Sequence, residues 1–363
     1  MKTGSTADRQ RGFALIATGV CLVASLGATG LAVDLGRMYI TKNELQAFAD
    51  AAVLAAALEL DGTNQGLTDA RQQVTDSANR VHMGTSVPTT VTEFSANRNG
   101  PWVPDPAPAG TMFVRVTADS IIPMYFVPVV GGGTSSHIRA AAVAGQVPVT
   151  TWNEGLLPFS PFAHNLDPAD NFGFDVGQQY TLLWPSNPRF QGGNANVCPG
   201  DNVPHLQDLM EKMGPDGAEV PASLRGYIDY SAASTIRAAI VGLHQSQPHY
   251  IDELLNMTDG RKDTMSDALQ ERVGLDPDDS SPNYTTYKGN SNARGTRVVG
   301  VPINSGPPDF RVVQIAGFFL TPASTYDGNA NTPFCAEYIG PYVQGGKNGG
   351  AGTAGSYAVR LVQ

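Results

Sequence analysis

The sequence predicts an α+β protein with a long N-terminal transmembrane and stalk helix, a small α+β unit, and a β-rich domain that contains a helical insertion. Three observations predict this class. An uncharged run of 21 residues, 13–33, is followed by a segment rich in helix formers. Segments with alternating or β-branched residues come after this helix. Only 15 % of the 363 residues are charged, and the 40 glycines and 26 prolines are typical of a turn-rich exported protein.

The uncharged run predicts a membrane-spanning helix that contacts the lipid bilayer through residues 13–33. A helix of this length is about 31 Å long, which matches the hydrocarbon core of about 30 Å. Lys2, Arg9 and Arg11 precede the run. The positive-inside tendency therefore predicts a cytoplasmic tail at residues 1–12 and an exported body.

Two alternatives to a retained anchor are a cleaved signal peptide and a buried helix of a soluble protein. A signal peptide has a shorter apolar core, and the nearest cleavage-like site, at 28–30, lies too late in the run. Neither proline nor glycine occurs from Arg37 to Asp61, so the helix is expected to continue to about residue 60 as a stalk. A buried helix needs neither this length nor this charge asymmetry. A freely secreted binding protein is the outcome expected if the segment is cleaved.

Small residues at four-residue spacing permit self-association in lipid, among them Ala24, Ala28 and Ala32.

A motif and an alanine-rich helix follow the uncharged run. The pattern G-x-A-x-D-x-G-R-x-Y is formed by Gly30, Ala32, Asp34, Gly36, Arg37 and Tyr39. The segment "LQAFADAAVLAAAL" after it contains Asp50. With the Arg-Gly pair before the run, this stretch resembles the N-terminal region of TadG-like proteins of the bacterial tight-adherence system, which act in Flp pilus assembly. The match is close over about 50 residues and continues more loosely to about residue 146.

The resemblance implies a location and a function. It implies a single-pass protein of the bacterial inner (cytoplasmic) membrane with a periplasmic or extracellular body. It also implies contacts with other pilus-assembly proteins, and a non-catalytic role in pilus assembly or anchoring and in surface adhesion. Asp34 is expected at the outer interface of the membrane, with no necessary role of its own. The alternative is a membrane-tethered exported enzyme or ligand-binding protein that uses a TadG-like anchor.

Two motifs found in related proteins are altered in this chain. Pilins that are cut after a glycine usually carry a glutamate five residues into the mature chain. Read from the junction between Gly12 and Phe13, the fifth residue here is Ala17, so no processing is expected. The D-x-S-x-S metal motif of longer relatives has its closest counterpart at 229–233, where alanine replaces the second serine. No metal-dependent adhesion site is therefore expected.

The exported part divides into two predicted domains. Residues 61–148 contain a helix and three or four strand candidates, which predicts the small α+β unit, and the TadG-like resemblance implies that it is pseudopilin-like in outline. In this unit "IIPMYFVPVV" at 121–130 is apolar, but its prolines favour a short helix or the rim of the fold over a central strand. Residues 149–363 form the predicted β-rich domain, with helical segments inserted at about 203–273.

The net charge of −10 argues against two classes of partner. Residues 1–60 carry five basic and five acidic residues, so the whole imbalance lies in the exported part. Nucleic-acid binding requires clustered lysine and arginine, and no basic cluster is present in the body. The same acidity argues against attraction of the body to an anionic lipid surface.

Three cysteines are present, and two of them are candidates for a disulfide. Cys21 lies inside the apolar run, where a thiol behaves as a small hydrophobe. Cys198 and Cys335 lie in polar, turn-rich surroundings and are expected to pair if the body is exported. The alternative is two buried free thiols.

No pattern of an active site is evident, so the chain is expected to be neither an enzyme nor a cofactor-binding protein. His244 and His249 lack the spacing of a zinc site, and no G-x-S-x-G nucleophile elbow occurs. The acidic string with Asp276, Asp278 and Asp279 lacks the order of a calcium loop and is expected to be a solvated loop, and calcium binding through its oxygen ligands is the alternative.

Overall fold

One long helix forms the N-terminal part of the protein and continues into the body. The structure is a computed structural model that describes residues 6–79, 88–190, 195–212, 224–259, 265–352 and 354–362. Helix α1 runs from Thr6 to Leu58 without interruption. In the part that the structure describes, it is the one helix long and apolar enough to cross a membrane. Its first half stands clear of the body, with exposed apolar side chains at Phe13, Val20 and Leu26.

The second half of α1 packs into the body. Its inward side chains are fully or almost fully buried, namely Leu45, Phe48, Ala49, Ala52, Val53, Ala56 and Ala57. Alanines predominate in this list because the helix lies close against a sheet, and short side chains permit that approach. The long apolar helix therefore continues directly into the hydrophobic core of the body.

The segment after α1 forms a small antiparallel sheet covered by two helices. Helix α2 spans Asn64–Asn79, and the strands are β1 (Thr89–Ser95), β2 (Phe113–Pro123) and β3 (Ser135–Pro148). Alternate residues of β2 point to the helices and are buried, namely Val114, Val116, Ala118 and Ile122. Between β2 and β3 the chain makes a 3-10 turn at Val127–Val130. The proline-interrupted run at 121–130 is thus partly the end of a strand and partly this turn.

The rest of the chain contains nine strands and four helices in its described parts. The strands are β4 (Thr151–Trp152), β5 (Gln179–Leu183), β6 (Leu224–Ile228), β7 (His249–Tyr250), β8 (Met257–Asp259), β9 (Val298–Asn304), β10 (Val312–Leu320), β11 (Phe334–Val343) and β12 (Ser356–Leu361). The helices are α3 (Pro204–Lys212), α4 (Ala233–Gly242), α5 (Met265–Gly274) and α6 (Tyr284–Lys288). The insertion predicted at 203–273 therefore contains short strands as well as helices.

Aromatic side chains form the core of this larger part. Phe162 stacks on Trp184 with ring centroids 6.1 Å apart, and Phe174 lies 4.5 Å from Tyr180. The segment 153–166, expected to be β-rich, makes isolated bridges instead of a strand, such as Leu156 with Gly300. The prolines in this segment remove the amide donors that a regular ladder requires.

A single eight-stranded sheet joins the two predicted exported domains. Its order is β1-β2-β3-β12-β11-β10-β9, and β5 pairs with β11 outside this path. Strand β12 pairs antiparallel with β3 and parallel with β11. The last strand of the chain thus lies between the sheet of residues 61–148 and the strands of the C-terminal part. The α+β class is confirmed, and the division near residue 148 stays a prediction.

One buried glutamine connects three segments at this junction. The side-chain amide of Gln146 on β3 donates to the carbonyl oxygens of Ala57 and Leu60, at 3.0 and 2.6 Å. Its side-chain oxygen accepts the N–H of Ala351 at 2.8 Å. The carbonyls at a helix C-terminus have no partner inside the helix, so Gln146 supplies donors at the end of α1.

Candidate functional site

Asp34 holds a loop of the body against the long helix. Its carboxylate is fully buried, although it lies directly after the uncharged run. One oxygen accepts the N–H of Tyr125 at 3.1 Å, and the other accepts the N–H groups of Phe126 and Val127 at 2.7 and 2.8 Å. Charge-assisted hydrogen bonds of this kind are roughly twice as strong as neutral ones. Asp34 therefore has a definite structural role. The sequence alone predicts only an acid at the outer membrane interface, with no necessary role.

Two more motif residues contact the same loop. Arg37 donates from Nη1 to the carbonyl oxygen of Pro123 at 2.9 Å, and its guanidinium lies 4.4 Å from the ring centroid of Tyr125. At Gly30 a Cβ atom would come within 2.5 Å of the Phe126 ring, so only glycine permits this approach of the ring to the helix. Gly30, Asp34 and Arg37 are spaced by four and three residues, which places them on one face of α1. We call this contact between the three residues and segment 123–127 the clamp.

The remaining motif residues face away from the clamp. Ala32, Gly36 and Tyr39 are exposed, and a Cβ at Gly36 would meet no atom within 4 Å. Asp50 lies further along α1 and accepts a hydrogen bond from the Gln46 side chain at 2.8 Å. The motif thus has one face that contacts the body and another that is open.

Cys198 and Cys335, the predicted pair, are joined by a disulfide across 137 residues of sequence. Cys198 is fully buried, and its N–H donates to the Thr181 hydroxyl on β5 at 3.2 Å. Cys335 lies on β11, the strand paired with β5. The bond therefore attaches the loop before α3 to the central sheet. Cys21 is exposed on the apolar half of α1 and has no disulfide partner.

The acidic string at 276–279 is a buried structural element, and the expectation of a solvated loop is wrong for two of its three aspartates. Asp276 accepts the hydroxyl of Tyr287 and the N–H of Thr296, the latter at 2.9 Å. Asp278 accepts from the Ser281 hydroxyl at 2.6 Å and from its N–H at 3.1 Å. Burial raises the pKa of Asp278, but these hydrogen bonds outweigh it and leave the pKa below its ordinary value.

The fully buried Arg297 completes this element. Its guanidinium donates to the carbonyl oxygens of Leu320, Asp278 and Ser281, at 2.8 to 3.0 Å. It also lies 4.3 Å from the ring centroid of Phe319. Burial lowers the pKa of Arg297 below its ordinary value, although Asp278 and nearby tyrosines act in the opposite direction. The string and its surroundings are therefore held by hydrogen bonds to this cation.

His164 and the buried His249 also form side-chain contacts within the body. His164 contacts Asp201 at 2.9 Å and stacks on Phe174. His249 contacts the hydroxyl of Tyr230 at 2.6 Å and the carboxylate of Glu253 at 3.0 Å. Among the residues that the structure describes, no group of three or more His, Cys, Asp or Glu side chains is arranged to hold a metal ion.

A polar cleft of about 500 Å³ lies between α2 and α6. It is lined by side chains of both charges, including Glu59, Asp69, Lys288 and Lys347. Lys288 forms an ion pair with Asp61, and Glu59 accepts hydrogen bonds from Gln73 and Asn348. These contacts connect the end of α1 to the C-terminal part.

The body side of the clamp was not recognised as a site from the sequence. Its signal is the run "IIPMYFVPVV", which is apolar, contains two prolines and carries no charge. Prolines at 123 and 128 remove two amide donors, and three of the amides between them point to Asp34. The 91-residue separation of Asp34 and Tyr125 conceals this pairing from any local pattern.

Comparison with known proteins agrees with the resemblance of the N-terminal segment. Residues 12–59 match the family model described as "Putative Flp pilus-assembly TadE/G-like". The match includes the whole G-x-A-x-D-x-G-R-x-Y motif and most of the alanine-rich helix, and it confirms that this segment is TadE/G-like. No curated protein and no solved structure matches the chain significantly.

Proposed function

We propose that this chain is a non-catalytic, single-pass protein of the bacterial inner membrane that acts in the assembly or anchoring of a Flp-type pilus, and thereby in surface adhesion. The observation that carries the proposal is the TadE/G-like match over residues 12–59. The matched residues lie on α1, which is long and apolar enough to cross a membrane and which also enters the core of the body. A protein built in this way is suited to hold a body at a fixed position near the membrane.

The proposed mechanism is mechanical. Helix α1 passes without a break from the apolar run into the body, so a force on the body acts directly on the anchor. The helix contacts the body from the clamp at Asp34 to the packed region that ends near Ala57. At 1.5 Å per residue these contacts extend over about 35 Å of helix. Contacts spread over this length resist bending and rotation of the body much better than a contact at one point.

The partners we propose are other pilus-assembly proteins outside the inner membrane. The acidic character of the exported part makes a nucleic-acid partner unsuitable. Buried ionisable groups such as His249, Asp276 and Arg297 are used in structural hydrogen bonds, which supports a role without catalysis.

Reporter fusions test the proposed orientation. Fusions at residues 8 and 62 flank the uncharged run. A cytoplasmic reporter is expected to be active only at residue 8, and an exported reporter only at residue 62, because basic residues precede the run. The opposite activities would contradict a cytoplasmic N-terminus.

Deletion and complementation test the pilus function. Removing the gene is expected to abolish pili seen by electron microscopy and attachment to a surface, and the wild-type chain is expected to restore both. Asp34→Ala is expected to restore neither, at equal amounts in the membrane, because the clamp loses its acceptor. Asp105→Ala is the matched control, since the Asp105 side chain is 86 % exposed and forms a surface ion pair with Arg71. Normal piliation after deletion would contradict the function, and full complementation by Asp34→Ala would contradict the mechanical role of the clamp.

A further inference from the structure

The turn between β2 and β3 presents an exposed apolar surface. We call residues 124–129 the hairpin tip. Tyr125 is 60 % exposed, Phe126 is 44 % exposed and Val129 is 81 % exposed. From Ser120 to Ile138 the chain has no Asp, Glu, Lys or Arg. An exposed, uncharged surface with two aromatic rings is unusual on a part of a protein that faces water.

The hairpin tip lies beside the outer end of the apolar run. Phe126 packs against Gly30, three residues before the end of the uncharged run at Val33. Three residues of helix correspond to about 4.5 Å, so this ring lies below the level at which the run ends. Exposed apolar side chains continue on α1 around the same level, namely Leu31, Val33 and Leu35.

The backbone of the hairpin tip has its donors paired within the protein. Asp34 accepts three of them, and the N–H of Met124 donates to the carbonyl of Thr134 at 2.9 Å. The N–H of Val129 donates to Phe126, and Pro128 has no N–H group. Non-helical backbone is tolerated at membrane depth only where the protein itself satisfies its polar groups.

We propose that the hairpin tip enters the outer boundary between headgroups and acyl chains, as a second membrane contact beside the anchor. The occupant is the lipid bilayer, because the hairpin tip is continuous with the lipid-facing surface of α1. Tyr125 lies under the guanidinium of Arg37, and tyrosine is enriched at membrane–water interfaces. The acidic body is not attracted to anionic lipids, so the contact depends on apolar burial and forms with neutral lipid. The inference rests on α1 crossing the bilayer, as in the proposed function.

Spin labels on the full chain in nanodiscs of neutral phosphatidylcholine test the inference. In a Cys21→Ser background that keeps the Cys198–Cys335 bond, a nitroxide is attached to Val129→Cys, Leu22→Cys or Val91→Cys in separate samples. Leu22 is an exposed leucine of the anchor, and Val91 is an exposed valine on β1 away from the hairpin tip. The ratio of collision rates with oxygen and with a water-soluble nickel complex reports burial in lipid. All three positions are exposed, so the labels leave the packing of the fold unchanged.

The label at residue 129 is expected to show a collision ratio several-fold higher than the label at residue 91, in the direction of the label at residue 22. Equal ratios at 129 and 91, with a lipid-like ratio at 22, would overturn the inference while the anchor stands. Low rates with both reagents at 129 would also overturn it, because they would indicate that protein covers the hairpin tip. A water-like ratio at 22 would contradict the anchor itself and, with it, this inference.

Discussion

Replacing Gln146 by methionine is expected to destabilise the junction between the end of α1, strand β3 and the segment at Ala351. Gln146→Met keeps the length of the side chain and removes both its donors and its acceptor. The change leaves the carbonyl oxygens of Ala57 and Leu60 and the N–H of Ala351 buried without these partners. No water can replace the lost contacts easily, because Gln146 has no exposed surface.

The size of the effect follows from the number of groups left unpaired. A buried polar group without a partner costs about 1–3 kcal/mol, and three such groups near the lower end of this range give about 4 kcal/mol. The body has about 300 residues, and unfolding entropy near 2.1 cal/mol/K per residue converts this loss into a fall of about 6 °C in the unfolding midpoint.

The assay is thermal unfolding of the full chain in detergent, followed by near-ultraviolet circular dichroism with the disulfide intact. Gln46→Met is the matched control, because Gln46 also reaches from α1 to β3, where it donates to the carbonyl of Ala141 at 3.2 Å. Gln46 is only partly buried, so water replaces its lost partners and the expected change is below about 1 kcal/mol. Equal shifts for the two variants would refute the reasoning.

Three further predictions concern the C-terminal part. Reducing the Cys198–Cys335 bond is expected to lower stability by about 5 kcal/mol in the chain-entropy model, and an unchanged unfolding midpoint in reductant would contradict this. Arg297→Lys is expected to cost about 3 kcal/mol, since an ammonium group cannot reach all three carbonyls, and full stability of this variant would contradict that role. The pKa of Asp278 is lowered, so its contribution to stability is present above its unfolded pKa and is lost as pH falls through the lowered value. Hydrogen-exchange protection of the Ser281 amide is therefore expected to fall in strong acid, and protection independent of pH would contradict this prediction.

Local patterns predict much of this fold. The uncharged run and the absence of glycine and proline after Arg37 predict one helix to about residue 60, and α1 ends at Leu58. The alternating or apolar segments "TMFVRVTAD", "SHIRAAAVAGQVPV", "GTRVVGVPIN" and "RVVQIAGFFLTPA" predict strands. Strands β2, β3, β9 and β10 correspond to these four segments. Such features depend on residues that are close together in the sequence, so the sequence alone predicts them.

Contacts between distant segments are the part that local patterns miss. The insertion of β12 between β3 and β11 joins residues about 210 positions apart, and no periodicity within either segment encodes that pairing. Asp34 has the appearance of an exit flank because its three partners lie on another segment. Asp276 and Asp278 have the composition of a solvated loop, and only the fold brings Tyr287 and Arg297 to them.

The clamp between the anchor helix and the body is tested most directly by a distance measurement in the membrane. Spin labels at Leu22→Cys on the anchor and Val91→Cys on the body, in the full Cys21→Ser chain in nanodiscs, give a distribution of distances by pulsed electron resonance. A single narrow distribution is expected with Asp34 present, and a clearly broader one is expected in Asp34→Ala, while Asp105→Ala keeps the narrow form. A distribution that stays equally narrow in Asp34→Ala would contradict the claim that Asp34 restricts the orientation of the body relative to the apolar half of α1.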